Sequence, residues 1–254
     1  MGLELFSLAG KVAVVTGASR GFGRAIALGL AESGADVVLA ARTLSALEEL
    51  AKEIEGLGRR ALPVKADMCD ATDIAQLATA TIETFGKVDI LVNNAGIGGS
   101  QPFLNIGADV WQHILDVNLK GYVLCTQAFG RHMFKAKYGR VINISSAMGD
   151  YPLPFLIHYA ASKGAINAMT KSLAQEWATR GITVNAIAPS YFETDMVKES
   201  KENEQANALI MSRTPVKRYG RVDELVGLVN YLACDNASYM TGAVIPLDGG
   251  WSAG

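Results

Sequence analysis

Cysteine is scarce in this chain. Cys69, Cys125 and Cys234 are the only three in 254 residues. They are odd in number and far apart, with no CxxC or metal-ligand spacing. A disulfide-stapled scaffold is thereby excluded, and the three read as thiols in a reducing compartment. His113, His132 and His158 do not cluster, so no metal site is indicated. Neither sign of charge dominates: 23 Lys and Arg against 25 Asp and Glu leave a net −2. That balance excludes the basic field a nucleic-acid partner needs and the acidic run of a disordered tail. No apolar run approaches the roughly 20 residues of a membrane span. The start, Met1 to Phe6, has no basic region followed by a long apolar core. Linkers, repeats and low-complexity tracts are absent. A cytoplasmic protein with no membrane partner is expected.

Apolar residues, by contrast, make up half the chain, enough to bury a large core. At this length one domain over 1–254 is expected. Short apolar runs at Lys11–Thr16, Asp36–Ala41, Ala61–Ala66, Val88–Val92, Arg140–Ile144, Gly181–Ala188 and Ala243–Gly250 read as strands. Helical patterns lie between them, over Arg24–Ser33, Leu44–Gly56, Thr72–Phe85, Ala108–Val117 and Asn118–Lys137, then through Tyr159 and over Val222–Ala233. Strand and helix in alternation predict an α/β, doubly wound parallel sheet with helices on both faces. Pro246 suits a sheet edge or an interface. The polar stretch Val197–Arg213 interrupts the core elements. It makes about 191–215 a candidate lid, with a solvated surface helix as the alternative.

The first strand enters Gly17-Ala18-Ser19-Arg20-Gly21-Phe22-Gly23 and then a helix. Glycines in such a turn let the backbone approach a pyrophosphate, whose charge meets the helix N-terminus. The spacing is GxxxGxG, not the GxGxxG of the common dinucleotide fingerprint. The second strand ends in Ala41 and Arg42, where a carboxylate would hold the adenine ribose of NAD. Arginine there accommodates a 2′-phosphate, so NADP(H) is expected ahead of NAD(H), with Arg20 as a second positive charge. The fourth strand runs into Asn93-Asn94-Ala95-Gly96, at the sheet edge where open α/β folds bind ligands.

Tyr159 and Lys163 stand four residues apart, on one face of a helix. A free phenol titrates near pH ~10, and a neighbouring cation is expected to lower that value. A tyrosine so tuned trades protons with an alcohol or carbonyl oxygen. Asn118, polar between apolar stretches, needs a hydrogen-bond partner if buried. Ser145 and Ser146 end the fifth strand, where hydroxyls serve either a turn or a substrate oxygen.

Together, Thr16-Gly17 with Gly21 and Gly23, Asp67, Asn93-Asn94-Ala95-Gly96, Asn118, Ser146, Tyr159 with Lys163, and Pro189 with Thr194 resemble the classical short-chain dehydrogenase/reductase family over essentially the whole chain. The resemblance implies a single Rossmann-type domain with a seven-stranded parallel sheet. It also implies reversible hydride transfer between NAD(P) and an alcohol/carbonyl pair. Tyr159 would be the general acid/base, Lys163 the group that tunes it and holds the nicotinamide ribose, and Ser146 the substrate-polarising hydroxyl. Asn118 would organise a proton relay to Lys163. Asp67 with Met68 would meet the adenine, and Asn94, Ala95 and Gly96 would line the cofactor cleft. Pro189, Phe192 and Thr194 would meet the carboxamide. A homotetramer is implied as well. Phe22, Met68 and Ser190 depart from the usual family residues without removing a catalytic group.

The substrate is less legible. Met148, Leu153, Phe155, Leu156, Tyr191 and Phe192 make a mostly apolar wall with Asp150 as the polar exception, which favours a medium-sized hydrophobic or cyclic ketone over a bare sugar. Broad similarity to 3-oxoacyl-[acyl-carrier-protein] reductases raises a carrier-protein partner, with Lys137 and Arg180 at the docking positions. The Leu5–Lys11 start resembles gluconate and polyol dehydrogenases. A cofactor-binding protein without turnover is the reading from another class.

Overall fold

The computed structural model describes residues 4–253, so Met1–Leu3 of the start considered above lie outside the described residues. Seven strands form one parallel sheet: β1 (Val12–Thr16), β2 (Asp36–Ala41), β3 (Ala61–Lys65), β4 (Ile90–Asn93), β5 (Gly139–Ile144), β6 (Ile182–Pro189) and β7 (Val244–Leu247). Their order is β3-β2-β1-β4-β5-β6-β7. The winding reverses between β1 and β4, which opens a crevice at their C-terminal ends. Of the three prolines within strands, Pro189 ends β6, while Pro63 and Pro246 lie in edge strands, opposite Leu39 and Ala188. At an edge, the missing N–H removes no bond to a second neighbour.

Nine α-helices surround the sheet: α1 (Gly21–Glu32), α2 (Leu44–Gly56), α3 (Ala71–Phe85), α4 (Ala108–Leu115), α5 (Gly121–Ala136), α6 (Ile157–Trp177), α7 (Lys198–Glu202), α8 (Glu204–Arg213) and α9 (Val222–Ala233), counted among the described residues. One face of the sheet packs on α1, α2 and α9 through residues such as Ile26, Leu30, Leu50 and Leu225. The other packs on α3, α5 and α6 through Leu77, Phe129 and Trp177. Helices α1 and α9 meet at Gly29, where a Cβ would run into the Val226 side chain. Among the described residues, no helix is long and apolar enough to cross a membrane.

Three boundaries differ most from the sequence expectation. Helix α1 starts at Gly21, inside the glycine turn. The last strand stops at Leu247, because Gly249 and Gly250 adopt φ of 63° and 88° and turn the chain away. The expected break at Asn118 is a π-helical turn, Asp116–Lys120, inside one continuous run from α4 to α5. Such turns accommodate an extra residue without ending the helix.

Candidate active site

Strand β5 and the first turns of α6 deliver the central groups. Ser146 caps a short 3₁₀ turn, accepting from the Met148 N–H at 3.1 Å and donating to the Pro189 carbonyl at 3.4 Å. Its neighbour Ser145 is used structurally, donating to Asn167 Oδ1 at 2.5 Å. Tyr159 is half-buried beside Ser146. One turn along, Lys163 is 3 % exposed and its Nζ donates to the Ile144 carbonyl at 2.8 Å. Tyr122, which the motif reading passed over, donates to the same carbonyl at 3.1 Å.

This geometry corrects the expected electrostatics. Burial raises the pKa of Tyr159, and contact with the Ser146 hydroxyl only opposes the rise. Lys163 is itself pulled down by burial from 10.5 to about 7. Desolvation disfavours whichever form is charged, so it raises a phenol and lowers an ammonium. With its Nζ 5.7 Å from the Tyr159 ring centre and bonded elsewhere, the lysine does not reverse that.

Asn118, fully buried in the π-turn, makes three hydrogen bonds. Its Oδ1 accepts from the Ile97 N–H at 2.8 Å, and its Nδ2 donates to the Ile97 carbonyl at 2.9 Å and to Ser162 Oγ at 3.1 Å. Ser162 in turn donates to the Tyr159 carbonyl at 2.6 Å. The loop after β4 is thereby tied to the helix that carries Tyr159 and Lys163.

At the crevice, Thr16 Oγ1 accepts from the N–H groups of Asn94 and Ala95 at 2.9 and 3.1 Å. The Asn94 amide donates to the Thr16 and Gly17 carbonyls at 2.8 and 3.3 Å. Asn94 therefore braces the glycine turn, a different task from lining the cleft with a free side chain. A Cβ on Gly23 would strike the Gly17 carbonyl 2.2 Å away, whereas one on Gly21, at φ 54°, would meet nothing within 4 Å. Gly17 and Gly23 close the turn, and Gly21 leaves its mouth open. Gly96 lies close to Asn118 and Lys163. Ser19 is half-buried and Arg42 exposed at the end of β2.

Several expected cofactor contacts carry other tasks. Arg20 Nη1 lies 3.7 Å from Asp195 Oδ2, bridging the glycine turn to the segment after β6. Phe22 packs edge-on against Phe192 with centroids 5.2 Å apart. Met68 is buried under α5, so only its backbone faces outward uses. Asp67 turns one carboxylate oxygen to the Cys69 N–H at 2.9 Å. Asn93, read as cofactor-side, lies buried instead, bonded to Thr126 and Asn143 at 3.0 and 2.9 Å. Pro189 ends β6, and Thr194 precedes a 3₁₀ turn at Asp195–Val197. Ser190, in the place of a usual glycine, donates to the Asp248 carbonyl at 3.1 Å.

Above Tyr159 lies a small apolar cluster. It brings together Met148, Leu153, Leu156 and Tyr191 with Ile210 from α8, whereas Phe155 is exposed and Phe192 belongs to the core beside α1. Asp150 is the exception: it is exposed and accepts from Asn167 Nδ2 at 3.0 Å, on the Ser145 side. Other contributors besides Ile210 were missed. Trp251, 5 % exposed, packs on Tyr191 at 5.4 Å and closes the cluster from the C-terminal turn. His158, 1 % exposed with Nδ1 unpartnered among the described residues, helps line a groove of about 490 Å³ with Ile97–Gln101 and the first turns of α4. Adjacency to Tyr159 was its only sequence signal. Segment 191–215 folds as a 3₁₀ turn with α7 and α8, and Met196 lies against Gly98 across the crevice.

Comparison with known proteins agrees with this geometry. The family model described as short chain dehydrogenase matches residues 11–205. The chain is 41 % identical over 254 residues to a 2-dehydro-3-deoxy-D-gluconate 5-dehydrogenase of Pseudoalteromonas atlantica, covering 98 % of each protein. It is also 41 % identical over 246 residues to a 3-oxoacyl-[acyl-carrier-protein] reductase of Synechocystis sp., covering 96 % of this chain and 98 % of that protein. A solved gluconate 5-dehydrogenase of Burkholderia cenocepacia, in complex with NADP and tartrate, superposes with a TM-score of 0.96 at 34 % identity over 100 % of both chains.

Proposed function

This chain belongs to the short-chain dehydrogenase family, and from that premise we propose that it is an NADPH-dependent oxidoreductase interconverting a ketone and a secondary alcohol, with Tyr159 as acid/base. The observation that carries this reading is the convergence of Ser146, Tyr159, Lys163 and Asn118 at the C-terminal edge of one sheet, beside the β1/β4 crevice. The open mouth at Gly21 and the braced turn at Gly17 and Gly23 fit a pyrophosphate against the start of α1. Arg42, exposed and without an ion pair among the described residues, together with Ala41 in the carboxylate position, fits a 2′-phosphate. NADPH, when bound, supplies the hydride.

The chain's own residues do the rest. The Ser146 and Tyr159 hydroxyls both donate to the substrate oxygen, stabilising charge as it develops there. Tyr159 delivers the proton when a ketone is reduced and removes it when an alcohol is oxidised. Lys163 would hold the nicotinamide ribose and resupply the proton, and Asn118 holds the loop and helix between which the relay would run. Asp67 and the Met68 backbone would hold the adenine, and Pro189, Phe192 and Thr194 the carboxamide. Segment 191–215 serves as a lid within a single domain, since its Ile210 packs directly on the pocket cluster.

Two substrate classes compete. The acyl-carrier reading requires docking on Lys137 and Arg180, which precede β5 and β6 at the far edge of the sheet. Helix α6 alone separates Arg180 from Tyr159 by about 30 Å at 1.5 Å per residue, so a carrier docked there stands far from the Tyr159 of the same chain. The sugar-acid reading needs no such arrangement. A cytoplasmic homotetramer is our expectation, supported by three free cysteines and by the open edge of β7, with α5 and α6 as the second interface.

The test is loss of NADPH absorbance, run beside NADH, with β-ketoacyl thioesters, cyclic and aryl ketones, and keto-sugar acids. Reduction of one class by NADPH supports the reading and names the class. NADPH binding with no reduction across the panel favours a non-catalytic protein.

A further inference from the structure

Arg213, the last residue of α8, stands apart from every other cation between 191 and 221. Lys198 lies 4.0 Å from Glu202, Lys201 2.8 Å from Glu193, Arg218 2.7 Å from Glu224 and Arg221 3.3 Å from Asp223. Lys217 donates to the Met211 and Ser212 carbonyls at 3.0 and 3.1 Å. Arg213 has no carboxylate or carbonyl partner among the described residues. Its guanidinium instead lies over the ring of Trp251, 5.4 Å from the centroid. Trp251 packs on Tyr191, and both belong to the cluster around Tyr159.

A helix-capping role does not account for Arg213. The Ile210 carbonyl already accepts from the N–H and the hydroxyl of Thr214, at 3.0 and 2.8 Å. Lys217 covers the next two carbonyls. What remains is an exposed cation with unused donors, stationed over an aromatic ring that belongs to the pocket cluster. That is the arrangement suited to a bidentate carboxylate.

We propose that Arg213 anchors a substrate carboxylate, with Trp251 as its platform, so that the substrate class is a hydroxy or keto acid rather than a neutral ketone. This rests on the reductase reading above and names its substrate class. Burial raises the pKa of Tyr191, Tyr219 and Tyr159 add to the rise, and the Arg213 charge opposes it. The Tyr191 hydroxyl is thus within electrostatic reach of both the anchor and the proton donor. A chain of hydroxylated carbons spanning them would present its carbonyl to Tyr159 and its acid group to Arg213.

The test is calorimetric titration of the NADPH-loaded protein, a dead-end pairing with an alcohol, with D-gluconate and with its neutral counterpart D-glucitol, for wild type, Arg213→Ala and Arg213→Lys. Wild type is expected to bind gluconate more tightly than glucitol. Arg213→Ala should weaken gluconate roughly 10- to 100-fold and leave glucitol unchanged. Arg213→Lys should recover part of the loss. The proposal is overturned if wild type fails to bind gluconate or does not distinguish the two ligands. It is also overturned if Arg213→Ala spares gluconate or weakens both alike, which would mark a packing role in the lid. These readouts need no turnover. Carbonyl reduction by NADPH without an Arg213 effect on gluconate sinks the anchor alone. An Arg213-dependent gluconate site in a protein that reduces nothing sinks the reductase reading alone.

Discussion

The Lys163 ammonium is bonded to the Ile144 carbonyl at 2.8 Å, not to the phenol of Tyr159 one turn away. Burial brings its pKa to about 7, against 10.5 for the ordinary group. Between those values the unfolded chain holds a proton that the folded protein has released. Raising the pH therefore favours the folded state across that window. The buried tyrosines, whose pKa values are raised, oppose this only above about pH 10. Urea unfolding of the wild type from pH 7 to 9.5 should show stability climbing, with Lys163 contributing on the order of a few kcal/mol. Lys163→Met should flatten the climb. An equally steep rise in that variant would assign the slope to other groups.

Tyr159→Phe removes the proton donor and keeps the ring in the pocket cluster. Turnover should fall by roughly 10²- to 10⁴-fold, while NADPH affinity, read by fluorescence titration, stays close to wild type. Rates near wild type in this variant would end the acid/base assignment.

Arg42→Asp replaces an exposed cation at the end of β2 with the carboxylate that suits an unphosphorylated ribose. NADPH binding should weaken by about 10- to 100-fold, the loss expected for a charge-assisted contact, and NADH should change far less. Equal losses for the two would show that Arg42 does not read the 2′-phosphate.

Asn118→Leu deletes three buried hydrogen bonds and leaves the Ile97 N–H and carbonyl without partners. The expected cost is about 2 to 4 kcal/mol of stability. Substrate turnover should drop further than the folded fraction alone accounts for, because the loop and α6 lose their tie. Chemical denaturation and kcat measured on the same preparation separate the two effects. A variant as stable as wild type would mean that the π-turn does not depend on Asn118.

The motif residues differed in how far the sequence could read them. Tyr159, Lys163 and Ser146 were legible because i, i+4 spacing and a strand end fix where their backbones stand. What each side chain bonds to was not. Ser145 and Ser146 are adjacent with the same hydroxyl, yet one faces Asn167 inside the fold and the other the pocket. Asn93 and Asn94 divide in the same way: Asn93, the last residue of β4, bonds inward to Asn143, while Asn94, just past the strand, turns to the Thr16 carbonyl. Trp251 joined the site only because β7 returns the C-terminal turn alongside the β6 loop.

By itself the sequence determined the alternation of strands and helices, the parallel sheet, the glycine turn, and the chemistry available at the sheet's edge. Those features rest on local periodicity: a strand covered on both faces must be apolar throughout, and a helix beside it must carry one apolar face. The tertiary structure decided the protonation of Lys163, the bracing task of Asn94, the bridge from Arg20 to Asp195, and the unpartnered guanidinium of Arg213 over Trp251. Each depends on dielectric surroundings or on partners brought together from distant parts of the chain, and a pKa or an ion pair is set by such neighbours rather than by residue type.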